Sequence, residues 1–139
     1  MLVRDIMSSP AVTIRPDDDL AEAARVLDRL SLTTLPVVDR DLRLRGILSE
    51  ADVIGRFSLT SREPADGARV GDLMTARVLT VTADDDVAQV VELMRGTVLK
   101  SLPVLLHDRL VGMVSRRDVV RAIARGELDV RPLDELSPA

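Results

Sequence analysis

The chain has 139 residues, 46% of them hydrophobic and 30% charged, and its 19 basic and 23 acidic side chains leave a formal charge of −4. That describes one domain of ordinary size with enough apolar content for a core, and it excludes a disordered chain and a general nucleic-acid binder, which needs a basic face. One Phe (Phe57) with no Trp or Tyr excludes base-stacking platforms, and no Cys with a single His (His107) excludes disulfides, thiolate or multi-histidine metal sites and a Cys nucleophile.

The chain opens with Met1-Leu2-Val3-Arg4-Asp5, which is not a basic stretch leading into a long apolar one. No apolar run reaches the roughly 18–20 residues that span a bilayer. A cytoplasmic protein without membrane contact is expected. A short strand is predicted at 12–14, then a turn containing Pro16. Asp17, Asp18 and Asp19 open a helix, where the dipole favours acids. Leu20, Ala23, Ala24 and Leu27 follow at helical spacing. Leu35-Pro36-Val37-Val38 reads as a strand with Pro near its start, where a missing N–H is tolerated. A polar turn over Asp39 to Arg45 leads to a second strand at Ile47-Leu48, and a second helix begins after Ser49. Ser58, Ser61, Pro64 and Gly67 mark residues 55–69 as a linker.

The second half then repeats the first. Val3-Arg4-Asp5-Ile6-Met7 returns as Val70-Gly71-Asp72-Leu73-Met74, 67 residues on. Val12-Thr13-Ile14 returns as Leu79-Thr80-Val81, the three acids return as Asp84 to Asp86, and Leu35-Pro36-Val37-Val38 returns as Leu102-Pro103-Val104-Leu105 at the same offset. Val87, Val90, Val91 and Met94 reproduce the apolar face of the helix. The turn is shorter here, His107 to Arg109, and the second copy loses one residue in it, so Gly46-Ile47-Leu48-Ser49 matches Gly112-Met113-Val114-Ser115 at 66. Two copies of one β-α-β-β-α unit follow. Each unit, roughly 55 residues, is marginal alone. The expected fold is α+β, with the two repeats packed sheet-to-sheet about a pseudo-twofold axis and two related clefts between them. The bounds are 1–56 and 70–125 for the repeats, 57–69 for the linker and 126–139 for a tail. Gly126, Pro132 and Pro138 break up that tail, and Leu128, Val130, Leu133 and Leu136 offer it apolar anchors.

The string Gly-h-h-Ser-x-x-Asp, h being apolar, stands at a strand-to-helix turn in both copies: Gly46 to Asp52 and Gly112 to Asp118. It has two readings. Ser-x-x-Asp is a capping box that starts a helix. It also places first-turn N–H groups, suited to phosphate, one turn from a carboxylate suited to vicinal ribose hydroxyls. Duplication copies caps as well as sites, so the string alone does not choose between them.

With Asp5-Ile6-Met7 and Asp72-Leu73-Met74, Val12-Thr13 and Leu79-Thr80, the two Leu-Pro-Val strands and the two Ser-x-x-Asp strings, each repeat resembles a cystathionine-β-synthase (CBS) domain. The pair resembles a Bateman module over about residues 3–125. The resemblance implies an adenosine-containing ligand (AMP, ADP, ATP or S-adenosylmethionine), a homodimer through the pair's helices, and an effector protein that receives the signal. It implies one site combining Ser115 and Asp118 with Thr13, Thr33, Thr34 and Leu35. The other would combine Ser49 and Asp52 with Thr80, Lys100, Ser101 and Leu102.

The copies differ inside the motif. Arg116-Arg117 suits polyphosphate through forked donation, whereas Glu50 opposes it. Anionic phosphates are therefore expected near Arg116 and Arg117. With few aromatics, adenine would lie against aliphatic groups such as Leu35, Leu102, Ile47 and Met113. The acidic triplets read as helix N-termini, since calcium loops alternate their carboxylates and need a Gly turn. His107 is read as a solvated turn residue, and Met7, Met74, Met94 and Met113 as gap fillers. No base, nucleophile and metal set can be assembled, so no catalytic residue and no catalytic cofactor is assigned. Two functions stand: a regulatory ligand sensor, or a structural dimerisation and interaction module with empty clefts.

Overall fold

Helices start where the sequence supplies caps. In the computed structural model, which describes residues 1–56 and 67–128, the Asp19 carboxylate accepts from the Ala21 N–H at 3.0 Å and starts α1 (Leu20–Arg29). Asp86 does the same for Ala88 at 2.9 Å and starts α4 (Val87–Met94). The preceding acids close turns: Asp18 accepts from the Arg15 N–H and Asp85 from the Thr82 N–H. Leu20, Ala23 and Leu27 are buried on α1, and Val87, Val90 and Met94 on α4; Ala24 and Val91 are half-buried beside them.

The first unit holds β1 (Thr34–Val38), antiparallel to β2 (Leu44–Ser49), followed by α2 (Glu50–Arg56). Between β1 and β2, the Asp39 carboxylate accepts from the N–H groups of Asp41 and Arg43 at 2.9 and 3.0 Å. The second unit holds β3 (Val81–Thr82), parallel to β4 (Ser101–Leu106), which pairs antiparallel with β5 (Arg109–Ser115) ahead of α5 (Arg116–Ala124). The strand expected at 12–14 is reduced to a single parallel bridge, Ile14 to Val37. Its equivalent in β3, Val81 opposite Val104, extends by one more pair.

The chain order of the repeats and the spatial units do not coincide. The short helix α3 (Val70–Leu73) and its flanks belong to the first core, where Val70 is buried with Ile14, Leu20, Leu35 and Leu48. Val3 is buried in the second core with Val81, Val90, Leu102 and Val114. Each leader thus crosses to the other repeat. Ser8 exchanges two backbone hydrogen bonds with Met113 at 2.8 and 3.0 Å, and Thr75 exchanges two with Ile47 at 2.8 and 2.9 Å. Such reciprocal contact is the signature of twofold symmetry.

The crossing explains the Gly of the repeated string. A Cβ at Gly112 would stand 2.6 Å from the Ser8 carbonyl oxygen and 2.9 Å from Met7 Sδ. One at Gly46 would stand 2.6 Å from the Thr75 oxygen and 3.0 Å from Met74 Sδ. Residues 57–66 of the expected linker and 129–139 of the expected tail lie outside the described residues. Ala68 is buried in the first core and its carbonyl accepts from the Leu20 N–H, while Leu128 packs against the second core. No helix among the described residues is long and apolar enough to cross a membrane.

Candidate functional site

Both Ser-x-x-Asp strings form closed capping boxes. The Asp118 N–H donates to Ser115 Oγ at 3.1 Å, and Asp118 Oδ2 accepts from the Ser115 N–H at 2.8 Å and O–H at 3.0 Å. Ser49 and Asp52 repeat this at 3.2, 2.8 and 3.0 Å. An ionised carboxylate has about four acceptor positions, so the box leaves capacity on the second oxygen. Asp118 is 7% exposed, and its Oδ1 lies 3.7 Å from Arg121 Nη1. The first-turn amides are less free than the sequence suggests. The Arg116 N–H donates to the Lys100 carbonyl at 2.9 Å, and the Glu50 N–H to the Thr33 carbonyl at 3.0 Å. Two of the three first-turn amides of α5 are engaged within the protein, so attraction for an anion there falls mainly to the Arg116 and Arg117 side chains.

Two clefts flank the pseudo-twofold axis, at which Thr34 Oγ1 and Ser101 Oγ meet at 2.7 Å. The first cleft, about 510 Å³, runs from Ser115, Arg116, Arg117 and Asp118 to Met113, Pro36 and the leader segment Pro10 to Val12. The second, about 580 Å³, runs from Ser49, Glu50 and Ala51 to Ile47, Leu102 and the equivalent segment Arg77 to Leu79. Thr33, Thr34, Lys100 and Ser101 line both.

Most of the expected residues therefore come together, with corrections. Thr33 and Thr34, expected in the first cleft, and Lys100 and Ser101, expected in the second, all line both, because the axis passes among them. Leu35 lines neither; it is fully buried, its side chain taken by the first core. Leu102, almost as buried, still forms part of the second cleft's floor. Thr13 and Thr80 line neither cleft. Ile14 donates to the Pro36 carbonyl and turns inward, which leaves Thr13 exposed, and the wall is made just before it by Pro10, Ala11 and Val12. In the second repeat Arg77, Val78 and Leu79 take that place. Asp52 is folded back onto Ser49 and is not part of the second cleft's lining.

Sequence reasoning missed these wall segments, along with Ser8, Ser31 and Leu32 in the first cleft and Thr75, Val98 and Leu99 in the second. The repeat itself held the signal, since Ser8, Pro10, Ala11 and Val12 stand 67 residues before Thr75, Arg77, Val78 and Leu79. The clefts differ in charge. The first has Lys100, Arg116 and Arg117 against the capping Asp118, and the second has Lys100 and Arg77 against Glu50. Met113 and Ile47 hold equivalent places on the two floors. Among the described residues no group of three or more His, Cys, Asp or Glu side chains is placed to hold a metal ion.

Comparison with known proteins bears on this arrangement. The chain is 32% identical over 122 residues to a homoserine O-acetyltransferase of Methanohalobium evestigatum, covering 87% of this chain and 24% of that enzyme. It thus spans about a quarter of the length of that relative, and similarly of an inosine-5′-monophosphate dehydrogenase of Methanocaldococcus jannaschii (30% identical, 84% of this chain, 22% of the enzyme). A 17.7 kDa protein of Acidianus ambivalens is 30% identical over 99% of this chain and 79% of its own length. Among solved structures, an Arabidopsis thaliana CBS-pair protein in complex with AMP superposes with a TM-score of 0.79 at 28% identity, covering 91% of this chain and 98% of that one. The CBS domain pair of protein MJ0100, in complex with 5′-methylthioadenosine and S-adenosyl-L-methionine, superposes with a TM-score of 0.77 at 28% identity and the same coverage. The CBS domain model matches residues 3–58 and again 70–125. Leader exchange, paired clefts and both matches agree: the chain belongs to the CBS domain family and carries two CBS domains in tandem.

Proposed function

We propose that the protein is a regulatory module that senses an adenosine-containing nucleotide in the clefts between its two CBS domains and signals to a protein partner. The role is regulatory and not catalytic. The observation that carries it is the first cleft, where about 510 Å³ of space joins three cations to an aliphatic floor. That volume falls within the range of small-molecule sites. Arg116 and Arg117 would receive phosphate through forked donation. The second oxygen of Asp118, outside the capping box, would accept from ribose hydroxyls, and Met113, Pro36 and Val12 would flank adenine. Relatives of the same fold bound to AMP, and to 5′-methylthioadenosine and S-adenosyl-L-methionine, support this ligand class.

A ligand can shift only an equilibrium whose two states it binds differently. The units meet through the Thr34–Ser101 contact and the exchanged leaders, so a ligand touching both units favours one packing of the pair. The exposed apolar residues Ile54 on α2 and Val120 and Ile123 on α5 offer a face for a homodimer or an effector protein. The second reading, a structural interaction module, is favoured by Glu50 in the second cleft and by the absence of Asp52 from that cleft's lining. Melting temperature against AMP, ADP, ATP, NADH and S-adenosylmethionine separates the two. A ligand at about 100 times its dissociation constant adds roughly 2.7 kcal/mol. A stabilising shift with any of these nucleotides supports the sensor, and no shift with all five supports the structural module.

A further inference from the structure

Lys100 is the only lysine of the chain, and it lines both clefts. Its equivalent in the first repeat, Thr33, is uncharged. The clefts share a wall made by Thr33, Thr34, Lys100 and Ser101, at which Thr34 and Ser101 are hydrogen-bonded. The cationic end of the first cleft abuts this wall, because the Arg116 N–H is bonded to the Lys100 carbonyl. On the other side the Glu50 N–H is bonded to the Thr33 carbonyl, so an acidic residue begins the helix facing the second cleft. One lysine therefore lines two cavities, and only one of them has other cations at its helix start.

We infer that Lys100 couples the two clefts antagonistically for anionic ligands. The coupling rests on the nucleotide reading of the clefts and adds their regulation. An ammonium is a compact point charge on a mobile stem. A phosphorylated nucleoside in the first cleft draws it to that side, beside Arg116 and Arg117. The second cleft is then left with Arg77 against Glu50. A phosphorylated nucleoside binds there more weakly while the first cleft is filled. Linkage makes the effect reciprocal. A neutral nucleoside carries no charge for Lys100 to follow, so its two binding events are independent.

The test is a cycle of calorimetric titrations of the full chain with AMP and with adenosine. Val12 and Leu79 are 42% and 54% exposed at equivalent positions in the two cleft walls. Val12→Trp closes the first cleft and Leu79→Trp the second, giving each cleft's affinity alone. For AMP, the overall constant for filling both clefts of the unaltered chain should fall below the product of the two single-cleft constants by at least about fivefold, the lower end of measured couplings. Adenosine should close the cycle within about twofold, and so should AMP when the cycle is repeated with Lys100→Thr, which installs the residue of the other repeat. AMP closing the cycle in the unaltered chain, adenosine showing the same deficit as AMP, or the AMP deficit persisting with Lys100→Thr overturns the coupling through Lys100 but leaves the nucleotide reading standing. Failure of AMP and adenosine to bind the unaltered chain overturns both.

Discussion

Thr34 Oγ1 and Ser101 Oγ, 67 residues apart in sequence, meet at 2.7 Å across the pseudo-twofold axis of the CBS pair. Equivalent positions touch only where a symmetry axis passes between them. This contact therefore locates the axis, and with it the wall shared by the two clefts. Ligand sites built around it cannot be independent of the packing of the two domains.

The capping role of the motif serine is separable from its place in a cleft. Ser115→Ala is predicted to cost about 1 kcal/mol without ligand, the usual loss for an N-cap, and Ser115→Gly only a few tenths. Urea unfolding checks this as a shifted midpoint with an unchanged slope. An equal loss for both variants would contradict the cap.

The two motif glycines are predicted to be intolerant of a methyl group. Gly112→Ala places a carbon 2.6 Å from the Ser8 oxygen, and Gly46→Ala places one equally close to the Thr75 oxygen. The obstructing atoms are backbone, so a leader has to move, at a cost of about 1–3 kcal/mol. Hydrogen exchange should quicken at Ser8 and Met113 in the first variant, and at Thr75 and Ile47 in the second.

Leader exchange predicts that damage at one end of the sequence appears in the other repeat. Val3→Ala should cost about 2–4 kcal/mol through lost burial and cavity formation. The accelerated exchange should fall on Val90, Val104 and Val114 rather than on Leu20, Leu35 and Leu48. Val70→Ala should show the converse pattern.

The arginine pair is predicted to select for phosphate. Arg116→Ala with Arg117→Ala should weaken AMP binding by at least about threefold at low salt, since hydrogen bonds to charged groups are worth about 1.5–3 kcal/mol before solvent screening. Adenosine binding should change little, and the AMP effect should shrink at high salt. Calorimetry at two ionic strengths reads both.

Asp39 gives a pH dependence of known sign. The Arg43 N–H, aided by that of Asp41, holds its carboxyl below the usual value of 3.8, against a smaller opposing effect of burial. The folded hairpin thus favours the ionised form. Its contribution is present above the unfolded-state value and is lost as pH falls through the folded one. An NMR titration should give a midpoint below 3.8 for Asp39, and a midpoint above it would contradict the assignment.

The sequence carries local chemistry well and distant pairing poorly. Caps at Asp19, Asp86, Ser49 and Ser115, the apolar faces of α1 and α4 and the Leu-Pro-Val strands are legible because neighbours within a few residues determine them. The bonds from Ser8 to Met113 and from Thr75 to Ile47 are not, because no local pattern marks which edge a leader joins. Leu35 illustrates a further limit: its strand is legible in the sequence, but the face it buries depends on the core beneath it. Pro10 to Val12 and Arg77 to Leu79 carry no distinctive chemistry and become cleft walls only through the leader exchange. The role of Lys100 depends on the axis, which appears only once both units are assembled.

The most direct test of the central claim is a two-dimensional amide NMR titration of the full chain with AMP. The account predicts saturable shifts at Thr33, Thr34, Met113 and Ser115 to Asp118, with smaller changes on the distant faces of α1 and α4. Saturating AMP that leaves the Ser115 to Asp118 amides unmoved would contradict it.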